Sequence, residues 1–158
     1  MTEIITCKNN YDEIVDVPKE KFYFRPSVYG IIKNGNKILI VRTKFNNKIW
    51  FPGGAVNVGE KLDDALIREC FEETGLKITK IGEQLLFKEN FFYYQPEDLA
   101  MHAYLFFYLC EVEDGELTIN GIEQDEDLSS IEWIDINEIK GDDISDFQDE
   151  IFNIINNL

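Results

Sequence analysis

The sequence predicts an α/β protein in which a mixed β-sheet is sandwiched between α-helices. Three observations carry this. Strand-like runs rich in β-branched and aromatic residues stand on both sides of one amphipathic run over residues 61–74. A second helical stripe, Ile144, Phe147, Ile151, Ile154, Ile155 and Leu158, closes the chain. Strands, a helix, more strands and a closing helix form the order that a helix-covered sheet requires. At 158 residues, 44% of them hydrophobic, the chain suits one domain over 1–158 with a substantial core.

The elements follow in order. Residues 3–17 predict a small hairpin turning at Asn9-Asn10, an N-terminal extension within 1–20. Residues 28–32 and 37–42 read as two strands around Asn34-Gly35, a tight-turn pair. Residues 49–51 form a short strand that runs into Pro52-Gly53-Gly54. A helix over 61–74 carries Asp63 and Asp64 in its first turn, where the helix dipole favours negative charge, and Gly75 stands just past its end. Residues 77–82 and 84–92 are extended. Residues 101–112 make a strand whose many aromatics point to burial on both faces, and 131–134 a further short strand. The last helix starts near Asp143.

The chemistry concentrates between Gly54 and Leu76. At about 100° per residue, Glu69, Glu72 and Glu73 share one wedge of the helix, while Ile67, Cys70, Phe71 and the Thr74 methyl lie mostly opposite. Leu66 breaks that division by projecting near Glu73. Three carboxylates on one face repel one another unless something neutralises them. In a chain with 31 acidic residues, a merely solvated acidic face is the plain alternative. The Pro-Gly-Gly turn favours the other reading, because it lets backbone carbonyls approach an ion. Clustered oxygen donors are what Mg²⁺ or Mn²⁺ prefer.

Gly54, five residues, Glu60, seven residues, then Arg68-Glu69-Cys70-Phe71-Glu72-Glu73-Thr74-Gly75-Leu76 resembles the Nudix box of the Nudix hydrolases. Every fixed position is met. Cys70 replaces the usual aliphatic residue as a small hydrophobe, and Asn57 stands where many members carry another glutamate. The resemblance implies a sheet between helices and metal-dependent attack of water on a pyrophosphate. It implies Glu69 and Glu73 as main metal ligands, Glu72 as a ligand or water-orienting group, and the Gly53 carbonyl as a further donor. Arg68 would fix Glu72, and Glu60 would brace the loop. Expected substrates are a nucleoside diphosphate linked to another group: a nucleoside triphosphate, ADP-ribose or a nucleotide sugar. The alternative is a non-catalytic nucleotide-sensing or protein-binding module. Such modules usually lose box carboxylates, and this chain keeps them all.

Outside the box the general base is sought among Glu123, Asp125, Glu126 and Asp127, with Glu126 preferred. Arg42 and Arg25 are the phosphate-contact candidates. Phe91, Phe92, Tyr93 and Tyr94 offer an aromatic clamp, with Phe92 chosen, although core packing is the commoner use of such a cluster. His102, the one histidine, and Trp133 read as ordinary strand and packing residues. The net charge of −16 argues against nucleic-acid binding, since phosphate backbones need positive surfaces. Three scattered cysteines and the absence of a signal-like or membrane-spanning run point to a cytoplasmic protein with reduced thiols. The N-terminal hairpin is the candidate surface for a homodimer.

Overall fold

β3 (Phe22–Asn34) is the strand on which the fold is organised, and it is longer than the sequence pattern suggests. It carries Pro26, which lacks a ladder donor and masks the strand's first half, yet the Pro26 carbonyl accepts from the Val56 N–H. The computed structural model describes residues 1–118 and 127–158. Before β3 come β1 (Ile4–Asn9) and β2 (Ile14–Pro18), paired as the expected antiparallel hairpin. After it come β4 (Lys37–Thr43), β5 (Ile49–Trp50), β6 (Gly53–Ala55) and helix α1 (Leu62–Thr74). The chain continues with β7 (Ile78–Tyr94), β8 (Leu99–Val112), β9 (Leu128–Asp135) and helix α2 (Gln148–Asn156).

These strands form a mixed nine-stranded sheet in the order β2-β1-β7-β8-β3-β4-β5, with β6 paired to β3 and β9 to β4. β3 runs parallel to β8 from Phe22↔Ala100 to Ile32↔Cys110, and antiparallel to β6 with Tyr29 opposite Gly53. Alternation then decides which core each residue enters. Ile31, Ile38, Ile40, Leu105 and Phe107 pack with Ile144, Ile151 and Ile155 around α2. Val28, Ile32, Leu39 and Cys110 pack with Ala65, Leu66 and Cys70 of α1. The sheet is therefore buried between two helical layers, as expected. Trp133 packs in the α1 layer. No described helix is long and apolar enough to cross a membrane.

Three expectations need correction. The extended runs at 77–82 and 84–92 are one strand with register shifts, because the irregular pairing of Ile81 and Gln84 with β8 absorbs the break. β8 is fully buried on one face only. Its other face, with His102 and Tyr104, is partly open because α1 covers just one end of the sheet. The last helix does not start near Asp143. Phe147 adopts a left-handed φ of 52°, and Ile144 bridges to Ile49, so α2 begins at Gln148.

Candidate active site

α1 is held by Ala65, Leu66, Cys70 and Thr74, all buried, while Ile67 and Phe71 are 41% and 49% exposed. Cys70 and Thr74 lie on the expected core side, but Leu66 takes the place expected of Ile67 and Phe71 there. The reason is visible at the turn before it. The Gly53 N–H donates to Glu73 Oε2 at 3.0 Å. The Glu69 carboxylate lies 2.8 Å from where a Gly54 side chain would begin. Both glutamates point at the Gly-Gly turn, beside the buried stripe, and that rotation turns Ile67 and Phe71 to solvent. Gly53 is required for a second reason. Its φ is 147°, and a Cβ there would stand 2.1 Å from the Val28 carbonyl oxygen.

Arg68 joins the turn to the helix. Its Nε and Nη2 meet the two Glu60 oxygens at 2.8 and 2.9 Å, a bidentate pair. Nη2 also donates to the Ala55 carbonyl at 3.1 Å. Nη1 reaches Glu69 at 2.7 Å and Glu72 at 3.3 Å. Arg68 is thus centred on Glu60 and Glu69, with Glu72 at its margin. Glu60 in turn accepts the Asn57 N–H at 3.0 Å, which closes the loop it was expected to brace. Arg68, with help from that N–H, holds the Glu60 carboxyl down to about 2. Burial pushes the Glu69 carboxyl up, against the pull of Arg68 and Arg25, and the like charge of Glu72 adds to the rise. The Glu72 side chain is 58% exposed.

Beside this turn lies a cavity of about 430 Å³. Its floor is one face of three strands: Tyr23, Arg25 and Tyr29 of β3, Met101 and Ala103 of β8, and Phe92 and Tyr94 of β7. Phe45 and Trp50, from the β4–β5 region, form one wall. Asn10 and Asp12 of the hairpin turn form another, and Asp127 and Asp146 contribute carboxylates. Arg25 acts electrostatically on Glu69 and on Tyr29, so it stands between box and cavity.

Of the residues named from sequence, Arg25 and Phe92 line the cavity. Arg42 does not; its Nε pairs with Glu132 at 2.8 Å and Nη1 with the Asn47 carbonyl. Phe91 and Tyr93 face the opposite side of β7 and pack with Cys7 and Val17. His102 stacks on Phe91 and meets Glu89, as a strand residue outside the cavity. Glu123, Asp125 and Glu126 fall outside the described residues. Asp127 accepts the Tyr94 hydroxyl at 2.6 Å. The three cysteines are free and buried, and burial pushes Cys70 up to about 11 and Cys110 to about 12, far from reactive thiolates.

The family model of the NUDIX domain matches residues 23–153. The chain belongs to the Nudix hydrolase family. Over 130 residues it is 33% identical to an ADP-ribose pyrophosphatase from Methanocaldococcus jannaschii, covering 78% of this chain and 70% of that protein. It is 35% identical over 92 residues to an 8-oxo-dGTP diphosphatase from Escherichia coli, covering 55% and 66%. A MutT NUDIX hydrolase from Burkholderia pseudomallei has the same fold, with a TM-score of 0.60 at 19% identity over 75% of this chain and 88% of that one. As a Nudix hydrolase, this chain is an enzyme. The residues that sequence reasoning missed are cavity residues: Asn10, Asp12, Tyr23, Tyr29, Phe45, Trp50 and Asp146. Only Tyr23 and Tyr29 had a signal, the period of two through Arg25.

Proposed function

We propose that the protein is a divalent-metal-dependent pyrophosphohydrolase that cuts a nucleoside diphosphate linked to another moiety, by attack of water at phosphorus. The observation that carries this is the convergence of Glu69 and Glu73 on the Gly53-Gly54 turn, beside a cavity whose wall holds Arg25. Relatives named as an ADP-ribose pyrophosphatase and an 8-oxo-dGTP diphosphatase support the same class of bond.

The donor set fits Mg²⁺ or Mn²⁺. All groups are oxygens, and the raised Glu69 carboxyl is one that a nearby cation would stabilise as the anion. No three acidic, histidine or cysteine side chains form a ready-made cage among the described residues. Magnesium needs only one or two carboxylates from a protein and completes its shell with water and substrate phosphate. Glu69, Glu73, Glu72 and the Gly53 carbonyl would hold it. When bound, the ion would neutralise phosphate charge and lower the pKa of a coordinated water.

The chain's own residues do the rest. Arg68 keeps Glu69 aimed at the turn and Glu60 closed over the loop. Arg25 draws the pyrophosphate towards the box. Exposed Glu72 orients water or completes the ligand set. Glu126, outside the described residues, is proposed as general base on the sequence reading alone. The hairpin, with Ile4 and Ile14 exposed, is the proposed homodimer surface, which sedimentation would report as a doubled mass.

The test is a panel of ADP-ribose, nucleotide sugars and nucleoside triphosphates with Mg²⁺ or Mn²⁺. Turnover that EDTA abolishes and added metal restores is expected. Tight nucleotide binding without turnover under either ion would identify a sensing module instead.

A further inference from the structure

The N-terminal hairpin precedes the residues that the family model matches, yet its tip closes the cavity. The tip is fastened from several directions. Asn46 Nδ2 donates to Asp12 Oδ2 at 3.0 Å, and the Tyr11 and Phe45 rings meet edge to face at 5.4 Å. Asn9, only 1% exposed, accepts the N–H groups of Tyr11 and Glu13 and donates to Gln95 Oε1 at 2.9 Å. These contacts give the tip a defined shape.

Asn10, 7% exposed, lines the cavity. Its Oδ1 accepts the Gln95 N–H at 3.0 Å, which fixes the orientation of the amide. Nδ2 is the end left over, buried and without an acceptor among the described residues. Leaving a buried donor unmatched costs stability, so an acceptor that arrives with a ligand recovers it. The chemistry of this end of the cavity narrows what that ligand is. Asp12 and Asp146 stand beside it, with Lys8 at 3.8 and 3.9 Å from them and Lys48 at 3.5 Å from Asp12. Two carboxylates against two ammoniums leave this end without the net positive charge that holds a phosphate, while the carboxylates accept hydrogen bonds from hydroxyls. Arg25, the cavity's guanidinium, lies close enough to the box to act on the Glu69 charge.

We propose that the hairpin tip selects the substrate, with Asn10 donating to an oxygen of a neutral, hydroxyl-bearing sugar joined to the pyrophosphate. This rests on the hydrolase reading above for the position of the pyrophosphate. Because Nδ2 is enclosed, the tip shifts slightly as the sugar enters and becomes more ordered once it is bound.

The decisive variant is Asn10→Asp, which keeps the acceptor for Gln95 and replaces the donor by an acceptor. KM for ADP-ribose and UDP-glucose should rise at least tenfold with kcat within twofold, while KM for dATP stays within twofold. Calorimetry without metal separates this from the hydrolase reading: the Kd of ADP-ribose should rise by the same factor even if no substrate turns over. Unchanged KM and Kd overturn the proposal, as does an equal loss for dATP or a wild-type protein that binds neither sugar nucleotide. Should the variant not fold, hydrogen exchange on the wild-type protein decides: ADP-ribose should slow exchange at residues 9–13, and no slowing overturns the proposal.

Discussion

The box and the cavity are neighbours built in opposite ways. The box is one continuous stretch whose key contacts are short in sequence: Arg68 to Glu60, Arg68 to Glu69, Gly53 to Glu73. The cavity collects its residues from the hairpin, β3, β7, β8, the β4–β5 region and the segment before α2. On the proposed reading the chemistry is encoded locally, and the space that would receive the substrate depends on the whole sheet being assembled. Damage to the first should silence the enzyme without unfolding it. Damage to the second should alter selectivity and stability together.

Four measurements would break or sharpen that contrast. The largest effect expected is on activity from Glu73→Gln. The amide oxygen still accepts the Gly53 N–H, so the fold stays, but kcat should fall by roughly 10²-fold or more. A steady-state assay with Mg²⁺ beside a thermal melt checks both halves. Next is Gly53→Ala, where a Cβ meets the Val28 carbonyl; a loss of about 3 kcal/mol or more in urea unfolding is expected, with activity following the folded fraction. Asn9→Ala removes the hydrogen bonds that shape the hairpin tip. It should cost about 1–3 kcal/mol and raise KM more than it lowers kcat.

The smallest effect concerns pH. The folded Glu60 carboxyl sits near 2, below its ordinary 4.5. Its contribution is therefore complete above about pH 4.5 and is lost as pH falls through about 2. Glu60→Gln should lower the melting temperature at pH 7 and converge with the wild type near pH 2. A constant gap across that range would mean the ion pair with Arg68 is not its source.

Much of the fold was legible because alternation and turn residues are local signals. Asn34-Gly35, Gly75 and the continuous apolar run of β4 each mark their element without outside help. The box was legible for the same reason. The reading failed where distant partners decide. Ile67 and Phe71 have core-like side chains, but the pull of Gly53 and Gly54 on Glu73 and Glu69 sets the rotation of α1 and leaves them in water. Phe147 lies on a good helical stripe, yet the bridge of Ile144 to Ile49 holds the segment extended and delays α2. Arg42 ends a strand near the box, but Glu132 on β9 claims it. Nothing local in Asn10 or Asp12 reveals that β1 pairs alongside β7 and brings the turn to the cavity.

β3 is hydrogen-bonded along both edges where it matters, to β8 on one side and, at Ser27–Tyr29, to β6 on the other. Arg25 and the residue opposite Gly53 are four positions apart on that clamped strand, roughly 13 Å at about 3.3 Å per residue. A strand pinned on two sides cannot stretch, so the spacing is a fixed ruler laid from the Gly53 turn into the pocket. Under the proposed hydrolysis, molecules would be measured against it by length as well as by chemistry, and one whose anhydride sits a bond too near or too far would be held without being cut.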